Sequence, residues 1–358
     1  MQWLLLSILI PYVYLLLKIF GGLKKITAFH PEVNSEIFVS VIVPCHNEEK
    51  NLPRLLSDIV IQNYDPSRFE LIVADDNSSD STFKVASEFA GIKNRKVIKS
   101  IGRGKKLAIK AGFEASKGIL IITTDADCRM GEEWISTIVS CYMEYMPQMI
   151  ICPLKLESRR GFFGKFQELE FLSLQGITAG TAVYRSPVMC NGANLAFSRE
   201  VFYNHSSNLH YEINSGDDVF LLHSLKNEKS NKIIWLESAE AVVTTMASPT
   251  LASFLRQRAR WISKAVYYKD IFTVTLAIVT FITVLFLASM FISGLFSPVL
   301  FPVFLAAFII KSIPDFLILS DTAARYGNKK LLRWFLPSQI IYPLYIIAVV
   351  LFSVVKRR

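Results

Sequence analysis

The chain is short of the residues that cross-link or cage small proteins. It has five cysteines (Cys45, Cys128, Cys141, Cys152 and Cys190), an odd number with no C-x-x-C pair. That excludes a disulfide framework and a cysteine zinc site, and it suits reduced thiols in a cytosolic domain. The five histidines (His30, His46, His205, His210 and His223) lack metal-ligand spacing. There is no internal repeat and no low-complexity tract. Basic residues outnumber acidic ones 39 to 30, yet no basic recognition helix or nucleic-acid motif is present, which argues against a nucleic-acid partner. Charge is thin overall, at 19% of residues, while 52% are hydrophobic and the mean hydropathy is +0.36. That is too apolar for an ordinary soluble protein. A soluble domain joined to membrane segments accounts for the mixture, and the basic excess near the apolar segments suits anionic lipid.

Residues 1–22 are nearly all apolar and are followed by Lys24 and Lys25. A cleaved signal peptide carries its charge before the apolar run. The reversed order predicts an uncleaved membrane helix with its N-terminus outside and its other end cytoplasmic. Residues 30–248 read as a soluble α/β domain. Strands are expected at 38–44, 69–74, 96–100 and 119–124, and helices at 52–62, 81–89 and 105–116, the spacing of βαβ units in a parallel sheet. Beyond these, 134–146 reads as a helix, 149–156 as a strand and 162–177 as an aromatic-rich helix. Phe162, Phe163 and Phe166 are expected to form a membrane-facing or core stripe. Residues 249–269 mix Arg256, Arg258, Arg260 and Lys264 with Phe254, Trp261 and Tyr267, as an amphipathic interfacial helix does. Residues 270–358 hold three spans: 271–293, 299–320 and 334–355. Lys311, Pro314 and Asp315 interrupt the second, which makes a re-entrant segment an alternative there. Lys311 and Asp315, four apart, are expected to pair. Arg325, Lys329, Lys330 and Arg333 are expected on the cytoplasmic side. Four crossings would put Lys356-Arg-Arg358 outside, against the positive-inside rule.

The chemistry gathers at strand ends. Gly118-Ile-Leu-Ile-Ile-Thr-Thr runs into Asp125-Ala-Asp127. Alternate residues share a direction, and two carboxylates aimed together call for a hard divalent cation between them and phosphate oxygens. Asp75 and Asp76 end the second strand, where a nucleotide lies in open α/β sheets. Either could accept a hydrogen bond from a base N–H or ribose hydroxyl, or cap the next helix. Gly102-Arg-Gly-Lys-Lys106 opens a helix, so Lys105 sits where anions bind. Gly216-Asp-Asp218 precedes a helical run that its acids would also cap. Gln257, Arg260 and Trp261 share one helical face.

In order, Val41-Ile-Val-Pro-Cys-His-Asn-Glu-Glu49, Val73-Ala-Asp-Asp-Asn-Ser-Ser-Asp80, Asp125-Ala-Asp127, Gly216-Asp-Asp218 and Gln257-Arg-Ala-Arg-Trp261 resemble the motifs of family-2 inverting glycosyltransferases. The likeness is to the membrane-integral branch that includes cellulose, chitin and hyaluronan synthases and ceramide glucosyltransferase, and it covers residues 38–268. It implies a Rossmann-like glycosyltransferase A-type domain with one N-terminal and about three C-terminal transmembrane helices. It further implies a metal-dependent hexosyl- or N-acetylhexosaminyltransferase using a UDP-sugar and Mg²⁺ or Mn²⁺. Pro44, Glu48, Asp75, Asp76, Lys105, Asp125 and Arg260 would hold the nucleotide sugar. Asp127, helped by Asp125, would hold the metal. Asp218 would be the general base, beside Asp217 where the family usually has Glu. Asn194, in Asn191-Gly-Ala-Asn-Leu-Ala-Phe197, would meet the acceptor, as would Gln257 and Trp261. Few spans favour transfer to a lipid or lipid-linked glycan at the cytoplasmic face of a bacterial plasma membrane. A compact processive synthase of a β-linked polysaccharide is the alternative within the class, and a catalytically silent module of a membrane complex the alternative outside it.

Overall fold

The computed structural model describes residues 2–31, 37–159, 161–213, 215–228 and 232–355. The chain divides into two compact units: Thr27–Glu157 with Met189–Met246, and Met1–Ile26 with Ser158–Val188 and Ala247–Arg358.

The first is an α/β unit built on a seven-stranded sheet. Its parallel half consists of β1 (Val39–Cys45), β2 (Phe69–Asp75), β3 (Arg95–Lys99) and β4 (Leu120–Thr123), in the spatial order β3-β2-β1-β4. β1, β2 and β4 are buried along nearly their whole length. Continuous β-branched, apolar sequence is what a strand covered on both faces requires. Register aligns Cys45 with Asp75, so β1 and β2 finish together, and Ile42 with Thr123, so β4 ends earlier and the chain after it runs toward the same edge. The helices Leu52–Val60, Thr82–Glu88 and Lys105–Ala115 connect them.

Past β4 the sheet turns antiparallel, a feature the sequence pattern does not reveal. The short β5 (Arg129–Met130) leaves the large sheet, and the expected strand at 149–156 is two, β6 (Met149–Ile151) and β7 (Leu154–Glu157). The break falls at Pro153, which has no N–H to give a ladder. β8 (Leu195–Ser198) pairs antiparallel with both β4 and β6, and β9 (Ile233–Trp235) continues the edge. β10 (Val243–Met246) joins β5 and β7 in a three-stranded sheet.

The second unit is helical. Among the described residues, four of its helical segments are long and apolar enough to cross a membrane: Gln2–Leu23, Ile271–Phe296, Phe301–Arg325 and Lys329–Ser353. The segment Phe301–Arg325 is continuous through Pro314, so it is a full-length helix and not a re-entrant one. Inside it the Lys311 ammonium lies 2.6 Å from Asp315. Lys311 also donates to Gln339 Oε1 at 2.6 Å, and Tyr12 Oη donates to Asp315 at 2.6 Å. A buried charge is tolerable only when matched in this way. At the other end, Arg325 donates to the Leu23 carbonyl at 2.8 Å and Lys24 pairs with Asp321 at 2.8 Å. These contacts bring the C-terminal ends of the first and third spans to one level. The terminal Lys356-Arg-Arg358 lies outside the described residues.

Helix Phe162–Ala182 belongs to this unit, although the sequence places it in the soluble domain. Its Phe166 forms a buried cluster with Phe254, Tyr345 and Val349, flanked by Phe162 and Phe163. Helix Leu251–Ile262 opens with a reciprocal Thr250–Ser253 capping box. Arg258 on it is not a lipid-facing anchor, as its basic neighbours suggest, but is buried at 5% exposure against Glu170 at 8%. Its guanidinium grips Glu170 through Nε at 3.0 Å and Nη2 at 2.5 Å, and Tyr345 Oη donates to the same carboxylate at 2.9 Å. Arg258→Met should destabilise this unit by about 3–5 kcal/mol, because Glu170 is left buried and unpaired. Thermal unfolding in detergent should register the loss, and adding Glu170→Met should restore most of it.

Candidate active site at the switch point of the sheet

From β1 the chain runs to β2 and β3 on one side and returns to β4 on the other. The crevice beyond the C-terminal ends of β1 and β4 is therefore the topological switch point, where such sheets bind ligands.

The loop after β2 supplies one wall. Asp75 is 1% exposed and accepts the Ser78 N–H at 3.3 Å. Asp76, half-buried, takes the Gly104 N–H on both carboxylate oxygens, at 2.7 and 2.8 Å. Asn77 Nδ2 donates to the Gly102 carbonyl at 2.8 Å. Gly104 has φ +112°, which a side chain would resist. Asp76 and Asn77 thus fix the glycine turn that starts helix Lys105–Ala115.

That turn aims Lys105 at Asp125, 2.5 Å away. Burial alone would depress the Lys105 ammonium, but Asp125, then Asp217 and Asp218, hold its pKa well above the usual value. Asp217 is pushed above the ordinary carboxylate range by burial first, against the pull of Lys105 and with the push of Asp218 and Asp125. Asp218 accepts the Gly192 N–H at 3.0 Å and the Val219 N–H at 2.7 Å. Thr123 at the end of β4 donates to the Gly192 carbonyl at 2.8 Å. A Cβ at Gly192 would fall 3.2 Å from Asp217 and 3.7 Å from Lys105 Nζ. Three acids from two separate stretches therefore meet around one lysine.

Asp127 stands at the mouth. Thr245 Oγ1 on β10 donates to it at 3.1 Å. Its pKa is raised by desolvation, then by Asp125. Glu48 accepts from Asn51 at 2.8 Å, and its pKa is raised by burial, against that hydrogen bond and with the charges of Asp127 and Asp125. Pro44 lies half-buried at the end of β1. Among the described residues no three His, Cys, Asp or Glu side chains form a self-contained metal cage. A magnesium-like ion needs only one or two carboxylates when substrate phosphates complete its shell. Asp125 and Asp127, crowded enough to raise Asp127, fit that requirement.

Other parts of the geometry were not legible in the sequence. Thr245 carries no motif. Lys106, 3% exposed, donates to the Leu209 and His210 carbonyls at 2.6 and 2.8 Å and lies 4.8 Å from the Phe220 ring. It ties the helix carrying Lys105 to the loop leading to Asp217, and its signal is hidden behind its neighbour. Asn194 corrects the expectation of an acceptor contact. It is fully buried, donates to the Pro153 and Ala241 carbonyls at 2.7 and 2.8 Å, and accepts from Trp134 Nε1 at 2.9 Å. Its amide fastens β8 to the segments around it.

Gln257, Arg260 and Trp261 belong to the helical unit. Gln257 Oε1 accepts from Arg258 at 2.7 Å, and the Arg258 guanidinium lies 4.2 Å from the Trp261 ring. Arg260 is exposed and makes no ion pair among the described residues.

Residues 40–205 match the family described as glycosyl transferase family 2. Glycosyltransferase AglE of Haloferax volcanii is 33% identical over 105 residues, 29% of this chain and 34% of the relative. An undecaprenyl-phosphate 4-deoxy-4-formamido-L-arabinose transferase of Proteus mirabilis is 40% identical over 106 residues, covering 28% and 32%. The chain thus spans about a third of the length of these relatives. The mannosyltransferase PcManGT of Pyrobaculum calidifontis, solved with GDP-Man and Mn²⁺, is similar over 100% of both chains with a TM-score of 0.61 at 17% identity, a likeness of fold.

Asn194→Ala would strand the Trp134 N–H and two carbonyls. It should cost about 2–3 kcal/mol of stability while leaving the KM for any acceptor unchanged, which thermal unfolding and steady-state kinetics can read separately.

Proposed function

We propose, from the match of residues 40–205 to glycosyl transferase family 2, that the chain is a membrane-integral inverting glycosyltransferase. It moves a hexosyl or N-acetylhexosaminyl group from a UDP-sugar to a lipid or lipid-linked glycan. The observation that carries the reading is the convergence of Asp125, Asp217 and Asp218 on Lys105 at the switch point. A cluster with more acids than bases, beside a helix N-terminus, suits a diphosphate arriving with its cation.

In this reading Asp76, the more accessible acid of its pair, meets the nucleoside, with Pro44 and Glu48 beside it. Asp75 holds the loop. Lys105 turns from Asp125 to the diphosphate. Mg²⁺ or Mn²⁺ held by Asp127 and Asp125 would neutralise charge on the departing nucleoside diphosphate. Asp218 takes the proton of the acceptor hydroxyl as that oxygen attacks the anomeric carbon. The C–O bond to the diphosphate breaks on the opposite face, inverting the stereochemistry. Asp217 tunes this base through charge. Arg260, Gln257 and Trp261 enter on their motif alone, Arg260 for the diphosphate and the other two for the acceptor.

The four candidate spans, and relatives named for undecaprenyl-phosphate, support a lipid acceptor. The basic residues Lys24, Lys25, Arg325, Lys329 and Lys330 at one end of the spans support a catalytic unit facing the cytoplasm of a plasma membrane.

Asp218→Asn should lower kcat by about 10²–10⁴-fold, the worth of general-base assistance, while UDP binding measured by calorimetry stays close to wild type. Wild-type turnover in that variant would refute the assignment. A second expectation concerns pH. With its pKa raised, Asp127 favours the folded unit at low pH, and that contribution is lost as pH rises through the folded value. A cation reverses this, since it binds the deprotonated form. The rise in melting temperature produced by MnCl₂ with UDP should be present at neutral pH, fade as pH falls through the raised pKa, and be absent in Asp127→Asn.

A further inference from the structure

Lys18 lies within the first candidate span, Gln2–Leu23, one turn from its end. Lys311, deeper in the helical unit, is matched by Asp315 and Gln339. Lys18 has no such match: among the described residues neither it nor Lys25 makes an ion pair. Instead both ammonium groups rest over one ring, that of Tyr184, each 5.5 Å from its centroid. Two like charges at one aromatic ring repel each other, and the ring quadrupole offsets only part of that. The arrangement is short of an anion.

There is room for one. Lys18 and Tyr184 line a cavity of about 200 Å³ together with Ser186, Thr181, Ile19 and Phe272. Thr181 Oγ1 is committed to the Ile177 carbonyl at 2.8 Å. The Ser186 hydroxyl makes no side-chain hydrogen bond among the described residues and is available as a donor. Ile19 and Phe272 make the remaining wall apolar. The walls are fixed by close helix contact: a Cβ on Gly22 would collide with the Gly180 carbonyl, and one on Gly180 with the Ile19 carbonyl. Phe272 is the second residue of the span Ile271–Phe296 and Leu23 the last of the first, so the cavity sits where two spans end. That is headgroup depth, where lysines reach outward along apolar stems.

We propose that this cavity seats the phosphate of a membrane lipid. Lys18 supplies the charge in the lining, Lys25 adds charge from its place over the Tyr184 ring, Ser186 gives a hydrogen bond, and Ile19 and Phe272 the contact with the first carbons of the hydrocarbon tail. The shared chemistry is a phosphate on a hydrocarbon chain, which a resident phosphatidylglycerol or a polyprenyl monophosphate would each present. The proposal is independent of the sugar-transfer reading, since it concerns binding alone.

The test is native mass spectrometry of the full chain, delipidated in detergent and titrated separately with phosphatidylglycerol, a polyprenyl monophosphate, phosphatidylcholine and inorganic phosphate. One or both anionic lipids should bind with discrete stoichiometry and in preference to phosphatidylcholine, and which of them binds identifies the source. Lys18→Gln with Lys25→Gln should weaken that binding by roughly tenfold to thirtyfold, from about fivefold per lysine. Lys18→Arg with Lys25→Arg should retain it. Ser186→Ala, a milder change if the double variant fails to fold, should weaken it by about fivefold. Equal binding by wild type and the glutamine or alanine variants would overturn the site. Displacement of the lipid by millimolar inorganic phosphate would overturn its assignment to a lipid.

Discussion

The α/β unit turns on a single ion pair. Lys105 and Asp125 come from a helix N-terminus and a strand end, and they meet at the point where the sheet reverses its order. Without that ammonium, Asp125, Asp217 and Asp218 would face one another across a narrow crevice, and like charges at such range raise one another's pKa until one stays protonated. With it, the acids can stay together and remain ready for a cationic or proton-bearing partner. The pair depends in turn on the Gly104 turn that Asp76 holds and on the Lys106 tether to the loop before Asp217. An anionic ligand with its own cation would exchange partners within this set without opening the fold.

The parallel half of the sheet was legible because its strands are buried on both faces and its helices follow a regular alternation. Register then brings Asp75, Asp76 and Asp125 to one level, as their positions at strand ends imply. The antiparallel half was not legible. β8, β9 and β10 are three or four residues long, too short to display a period, and β8 hides inside a stretch that reads as a ligand loop. Asn194 illustrates the cost of that confusion. A polar residue between glycine and apolar positions fits a ligand contact or a buried lock equally well in sequence, and only the three partners of its amide decide for the lock. Arg258 is the parallel case. Its position in a basic, aromatic helix suggests lipid contact, whereas the Glu170 partner that buries it lies 88 residues away in the chain.

The helical unit follows a rule of its own. Charges deep in the spans are matched side chain to side chain, as Lys311 is with Asp315 and Gln339. Charges at the span ends share the Asp321 carboxylate and main-chain carbonyls, as Lys24 and Arg325 do, or are left over an aromatic ring, as Lys18 is. This grading follows the cost of an unpaired charge, which is high in hydrocarbon and falls toward the headgroups. It also explains why helix Phe162–Ala182 groups with the spans: its Glu170 supplies the only carboxylate partner recorded for Arg258 among the described residues.

The central claim is that the acids around Lys105 hold a nucleoside diphosphate with its cation in one place. The most direct measurement is the paramagnetic broadening of the ³¹P resonances of UDP by Mn²⁺ bound to the protein, with the distances it yields. The account predicts manganese in direct contact with the diphosphate in the wild-type protein, and loss of that contact in Asp127→Asn with UDP still bound. Phosphorus signals left sharp by protein-bound manganese, or broadened equally in the variant, would contradict it.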